Sequence, residues 1–444
     1  MFKKGDHFFP LTLILFLTVE IFLVKNKAFE EGILFYLLYV SILFLTEKKY
    51  IITFFVFQLP LFPIVPTDFK LFGLLGPHEI VYGSALFTLL LLLKRNRVRL
   101  NAYQKLSIKF VYFLFFINIY IIAKSVLLGM NKETEVSYIL KNLFRFFLYY
   151  QSLVLLIKLI YSDDYKRYII TGIKFSLVVL VISMMFTNLV KAWDIGEVTI
   201  NKAEIIIKGQ TRFLGIYSAG GDENSAGVFL VSIFGFLLAL FEKNGTLKRY
   251  IIFMGVAVLG TLLTGSRTAL IALTTVILIF LFTNKSSKAK FALIAACIVF
   301  YFIFSKQLDL VIQRFFDPSA RAAVDPNEAG RVGKWIKYME WIMNHPDTLL
   351  IGNQIKINYN RAPHNYLIYI LYNTGIIPLL IFIRLVYKLL KNVRFSLTKT
   401  SLKNAYYIIP FPLIIMTVNS FGSSIYLWLF LPMGAYYLTT KKLI

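Results

Sequence analysis

The chain has one cysteine in 444 residues, Cys297, and it lies inside an apolar run. An internal disulfide is excluded, and the thiol reads as a small packed hydrophobe. Metal-ligand spacing is missing as well. There is no His-Glu-x-x-His, no paired cysteines and no cluster of histidine with carboxylate, so no metal is expected. Neither a Walker-type loop nor Gly-x-Gly-x-x-Gly is present, which removes the usual nucleotide cradles, and no cofactor is expected. Charged residues make up only 16% of the chain, where a soluble domain carries roughly 25%. The first apolar run, 8–24, is followed by no small-residue cleavage site, so it is expected to stay as a helix.

What remains is hydrophobic, at 58% of all residues. Fourteen apolar runs lie between residues 8 and 439, among them 107–127, 143–160, 250–264, 268–283, 366–387, 404–419 and 422–439. Several are shorter than the ~20 residues of a straight span. The run 51–65 contains Pro60 and Pro63 and is expected to kink or re-enter. These runs predict an all-α polytopic membrane protein of about 12–14 transmembrane helices, with 1–444 as a single membrane domain and no internal repeat. The net charge of +25 suggests nucleic acid until its distribution is followed. With the N-terminus inside, the inner loops collect most lysines and arginines and few acids, as in Lys94-Arg95-Asn96-Arg97-Val98-Arg99 and from Arg384 to Lys403. That is the positive-inside pattern, with both termini cytoplasmic. The expected partner of this charge is the lipid bilayer, and no nucleic acid is expected.

The same alternation puts the longest loop, 306–365, on the external face. Long loops in compact proteins are usually functional. Within it Val332, Trp335, Ile336, Met339, Ile342 and Met343 recur at helical spacing, opposite Arg331, Lys334, Lys337, Tyr338 and Glu340. An amphipathic helix fits, lying on the outer membrane surface or packed over the span ends as a lid.

Three cationic or imidazole residues fall at external span ends: Arg212, Arg267 and His364. Arg267, in Thr264-Gly265-Ser266-Arg267, offers a planar fork suited to two phosphate oxygens, or could snorkel to headgroups. Arg212 reads as a second phosphate clamp or a solvated loop charge. Asn224 and Ser225 lead into a span and could cap it. His364, between Pro363 and Asn365-Tyr366, could take a proton from a sugar hydroxyl or serve as an interfacial cap.

Together, Arg212-Phe213-Leu214-Gly215, Asp222-Glu223-Asn224-Ser225-Ala226, Leu263-Thr264-Gly265-Ser266-Arg267-Thr268-Ala269 and Gly330-Arg331-Val332-Gly333-Lys334-Trp335 form an ordered set. It continues with Pro346-Asp347-Thr348-Leu349-Leu350-Ile351-Gly352, His364-Asn365-Tyr366-Leu367 and Asn373-Thr374-Gly375-Ile376. Over 205–385 this order resembles the O-antigen ligase and Wzy-type polymerase superfamily. The resemblance implies a metal-independent membrane glycosyltransferase of the bacterial cytoplasmic membrane, serving lipopolysaccharide or capsule-type polysaccharide biosynthesis. It would take an undecaprenyl-diphosphate-linked glycan donor on the external face and invert the anomeric centre. Carried over, Arg212 and Arg267 hold the diphosphate with Arg331 as a further ligand. His364 is catalytic together with Arg267, and Ser266, Asn224, Asn365 and Tyr366 support them. The acceptor is a second lipid-linked glycan for a polymerase or lipid A-core for a ligase. A chain-length regulator or a flippase would be a natural partner. A lipid-linked oligosaccharide flippase is the third reading, opposed by the gathering of polar residues on one face.

Overall fold

A computed structural model of the chain describes residues 8–61, 76–95, 100, 102–127, 136–159, 163–185, 204–207, 210–213, 223–244, 247–283, 287–303, 305, 331–353 and 365–392. Backbone groups in an apolar medium must be satisfied internally, and the apolar runs accordingly form helices. They are α1 (Phe8–Lys25), α2 (Phe29–Thr46), α3 (Lys49–Gln58), α4 (Pro77–Arg95), α5 (Ala102–Leu127), α6 (Val136–Leu159) and α7 (Asp163–Met185). After the strands β1 (Glu204–Ile207) and β2 (Gln210–Phe213) come α8 (Glu223–Asn244), α9 (Leu247–Leu263), α10 (Arg267–Thr283) and α11 (Ser287–Ile303). The series ends with α12 (Arg331–Asn344), α13 (Pro346–Ile351), α14 (Tyr366–Thr374) and α15 (Ile376–Asn392).

Among the described residues, Phe8–Lys25, Phe29–Thr46, Gln104–Lys124 and Tyr165–Met185 are long and apolar enough to cross a membrane. Shorter apolar helices accompany them, including Ile251–Leu263 and Thr268–Phe282. The protein is a helical polytopic membrane protein. Among these residues β1 and β2 pair as a two-stranded sheet. The expected runs 404–419 and 422–439 lie outside the described residues.

The chain packs as two compact units, the first from residues 1–104, 136–204 and 214–221, the second from 105–135, 205–213 and 222–444. In the first, α3 packs against α7 and α4, and α4 against α6. Phe16 of α1 stacks on Tyr39 at 4.4 Å and meets Tyr36 and Phe54 edge-on, joining α1, α2 and α3 through aromatic faces.

In the second unit the expected span 366–387 is not one helix. α14 ends at Thr374, Gly375 takes a φ of +87°, and α15 begins at Ile376. The chain then doubles back. The Tyr366 and Phe382 rings are 5.5 Å apart, whereas a continuous helix would separate those residues by about 24 Å. The cause is tertiary: a Cβ on Gly375 would overlap the Leu350 carbonyl at the end of α13, so only glycine admits the close approach.

α5 fastens this reversal. Lys124 Nζ donates to the Asn373 carbonyl at 2.5 Å, and the Tyr120 hydroxyl donates to the Ile351 carbonyl at 2.6 Å. A cation thus sits on the last carbonyls of α14, at the negative end of its dipole. Away from the tip, Phe382 packs against Phe110 and Phe113 of α5 at 6.0 and 6.5 Å. Phe113 precedes Lys124 by about 16 Å of helix. α14 is therefore a nine-residue half-helix folded back against α15.

The expected amphipathic helix is α12. It turns Tyr338 and Ile342 onto Leu371 and Tyr372 of α14, with Trp341 beside them. This corrects the sequence assignment: Tyr338, placed on the polar face, is core, while Ile336, Met339 and Met343 are exposed. The helix covers α14 as a lid would and keeps a second apolar side outward as an interfacial helix would.

Gly375→Ala should destabilise this unit by about 2 kcal/mol or more, since the left-handed backbone alone costs an L-residue roughly 1–2 kcal/mol. Thermal melting followed by tryptophan fluorescence reads the loss. An unchanged melting profile would mean that the tip relaxes freely.

Candidate active site

The turn between α9 and α10 is built by its own side chains. Thr264 Oγ1 donates to the Thr261 carbonyl at 2.7 Å and accepts from the Ser266 N–H at 3.3 Å. Gly265 takes a φ of +58°, a left-handed value that lets the chain leave α9 and enter α10 within three residues. Ser266 then caps α10, its Oγ accepting from the Ala269 N–H at 3.3 Å. Thr264 and Ser266 are buried. α8 closes over the turn, since a Cβ on Gly227 would fall 2.5 Å from the Ala269 Cβ.

Arg267 is the first residue of α10, a helix of 17 residues. Its backbone sits where the first N–H groups and the helix dipole create positive potential. A rigid, capped helix N-terminus that also carries an arginine is suited to an anion.

The second candidate element is α14. Asn365 is its N-cap, with Oδ1 accepting from the Leu367 and Ile368 N–H groups at 3.0 and 3.3 Å. Tyr366 is fully buried, its ring between Tyr369 and Phe382. Both therefore hold the half-helix in place. Half-helix N-termini inside membrane bundles commonly point at anionic or polar groups of a substrate. The residue preceding this cap is His364, which lies outside the described residues.

The other expected positions are fixed by backbone alone. Arg212 is in β2, where a loop was expected, and Arg331 opens α12. Asn224 and Ser225 fall in the first turn of α8, which begins at Glu223, so neither is its N-cap. The side chains of Arg212, Asn224, Arg267 and Arg331 lie outside the described residues.

Sequence reasoning missed Tyr120 and Lys124, whose partners are 231 and 249 residues away. It also missed the knot at Asn353, just after α13. There Asn353 N–H donates to the Tyr372 carbonyl and Asn353 Nδ2 to the Tyr372 hydroxyl, both at 2.6 Å. Nothing local in the sequence announces such contacts.

Residues 251–383 match a protein-family model described as O-Antigen ligase. The match runs from α9 into α15 and so includes Ser266, Arg267, Arg331, His364, Asn365 and Tyr366, while Arg212 and Asn224 precede it. No curated protein and no solved structure matches the chain.

Proposed function

We propose that the chain, whose residues 251–383 match a family model described as O-Antigen ligase, polymerises undecaprenyl-diphosphate-linked oligosaccharide repeat units on the external face of the cytoplasmic membrane. The supporting observation is the Ser266-capped N-terminus of α10 with Arg267 at its first position, inside the matched segment.

A diphosphate is a good leaving group at an anomeric carbon. In the proposed step the acceptor hydroxyl oxygen attacks that carbon from the face opposite the diphosphate. The new C–O bond forms as the old one breaks, with inversion, and undecaprenyl diphosphate departs with the bonding electrons. Arg267, the α10 terminus and Arg212 take up the charge that develops on the leaving oxygen, with Arg331 as a further ligand. His364 accepts the hydroxyl proton. Asn365 and Tyr366 support it by fixing the start of α14.

Transfer to lipid A-core is the second reading, favoured by the description of the family itself. Pure protein incubated with a defined undecaprenyl-diphosphate oligosaccharide, with and without lipid A-core, separates the two. A polymerase lengthens the lipid-linked glycan without the core acceptor; a ligase consumes it only with that acceptor. Product from detergent-solubilised protein, with no sealed compartment, excludes pure transport, and undiminished turnover in EDTA is expected. If neither acceptor yields product, the proposal fails.

A further inference from the structure

We propose that Arg145, held by Glu79 in the first unit, forms a second diphosphate-binding site, which takes the lipid-borne acceptor. This rests on the polymerase reading above.

Glu79 stands in the first turn of α4, behind Pro77. Its Oε2 accepts from the Gly76 N–H at 3.1 Å, and its Oε1 accepts from Arg145 Nε at 2.8 Å. The Glu79 side chain is 4% exposed and that of Arg145 28%. The carboxylate therefore faces two positive groups at once, the guanidinium and the N-terminal end of a 19-residue helix.

The mode of pairing matters more than the pair. Arg145 engages Glu79 through Nε, and Glu79 is its hydrogen-bond partner among the described residues. The two terminal amino groups, the part of the fork that grips two phosphate oxygens, make no hydrogen bond to the described residues, and the side chain is 28% exposed. Aromatic packing joins the helices beside the pair: Tyr82 of α4 meets Tyr149 of α6 at 5.1 Å, and His78 stacks on Tyr82 at 5.5 Å.

Arg145 lies in the first half of α6, at the third position of the apolar run 143–160, where an ionised side chain near a span end needs a partner or an anionic ligand. The alternation of loops puts the start of α4 and the first half of α6 on the external side, where the lipid-borne glycans are expected. A polymerase joins two lipid diphosphates and needs two grips, whereas a ligase needs one.

Native mass spectrometry of the full-length protein released from nanodiscs can count bound undecaprenyl diphosphate, with phosphatidylglycerol as the competing phosphate lipid. Wild type should carry two, and Arg267→Ala one. The double variant Glu79→Gln, Arg145→Met should also carry one, and it leaves no buried ion unpaired. Arg145→Lys keeps the charge without the fork and should weaken the second lipid about tenfold. If the double variant does not fold, Arg145→Lys decides, and unchanged affinity overturns the site. Retention of two lipids by a folded double variant overturns it as well. So does displacement of the second lipid by equimolar phosphatidylglycerol, which marks an ordinary headgroup site. A single lipid in wild type, lost with Arg267→Ala, ends the inference but leaves the transferase reading intact. No bound lipid at all ends both.

Discussion

Arg267→Ala is expected to lower kcat by about 10²–10³-fold, the usual cost of removing one preorganised donor from a developing negative charge. The reason lies in the turn that carries it. Thr264, Ser266 and the approach of α8 at Gly227 fix the start of α10. The variant should therefore melt like wild type while losing turnover. Arg267→Lys should recover only part of the rate, because an ammonium supplies charge but not two parallel N–H groups. Single-turnover transfer on a defined lipid-linked oligosaccharide reads both. Full activity in Arg267→Ala would remove the diphosphate from this end of the bundle.

His364→Ala should cost about 10²–10⁴-fold, the range of a lost general base. Its neighbour Asn365 caps α14 by two hydrogen bonds, and Tyr366 anchors the first turn in the core. The half-helix should thus form without the imidazole. Added imidazole should restore part of the rate in His364→Ala but none in Arg267→Ala, which separates proton transfer from charge stabilisation. If imidazole restores neither and the loss in His364→Ala is below about threefold, another group takes the proton.

Much of the helical architecture was legible because long apolar stretches leave the backbone no alternative to a helix. The junction at Arg267 was legible as a polar break between two apolar runs, but the cap by Ser266 was not, since it needs the Ala269 N–H brought to its hydroxyl. The break at Gly375 was not. Residues 366–387 look like one span, and the glycine is needed only because the Leu350 carbonyl arrives from 25 residues away. The α12 face was half legible. Spacing showed two kinds of surface, but which apolar side turns inward depends on Leu371 and Tyr372 of another helix. The β1–β2 pairing was hidden in a stretch read as loop. Arg145 and Glu79, 66 residues apart, carried no mutual signal at all.

The bonds from α5 to α13 and α14 also bear on how the chain is made. Lys124 leaves the ribosome 249 residues before the carbonyl it will hold, an interval of about 12–50 s at ordinary elongation rates. During that time its ammonium must be tolerated at the membrane edge by water, headgroups or the insertion machinery. A fragment starting after residue 127 would never receive it, and the half-helix α14 would be born without its clasp. The matched segment 251–383 is thus no free-standing module. Supplying residues 1–127 as a separate polypeptide should rescue a truncated chain that fails alone.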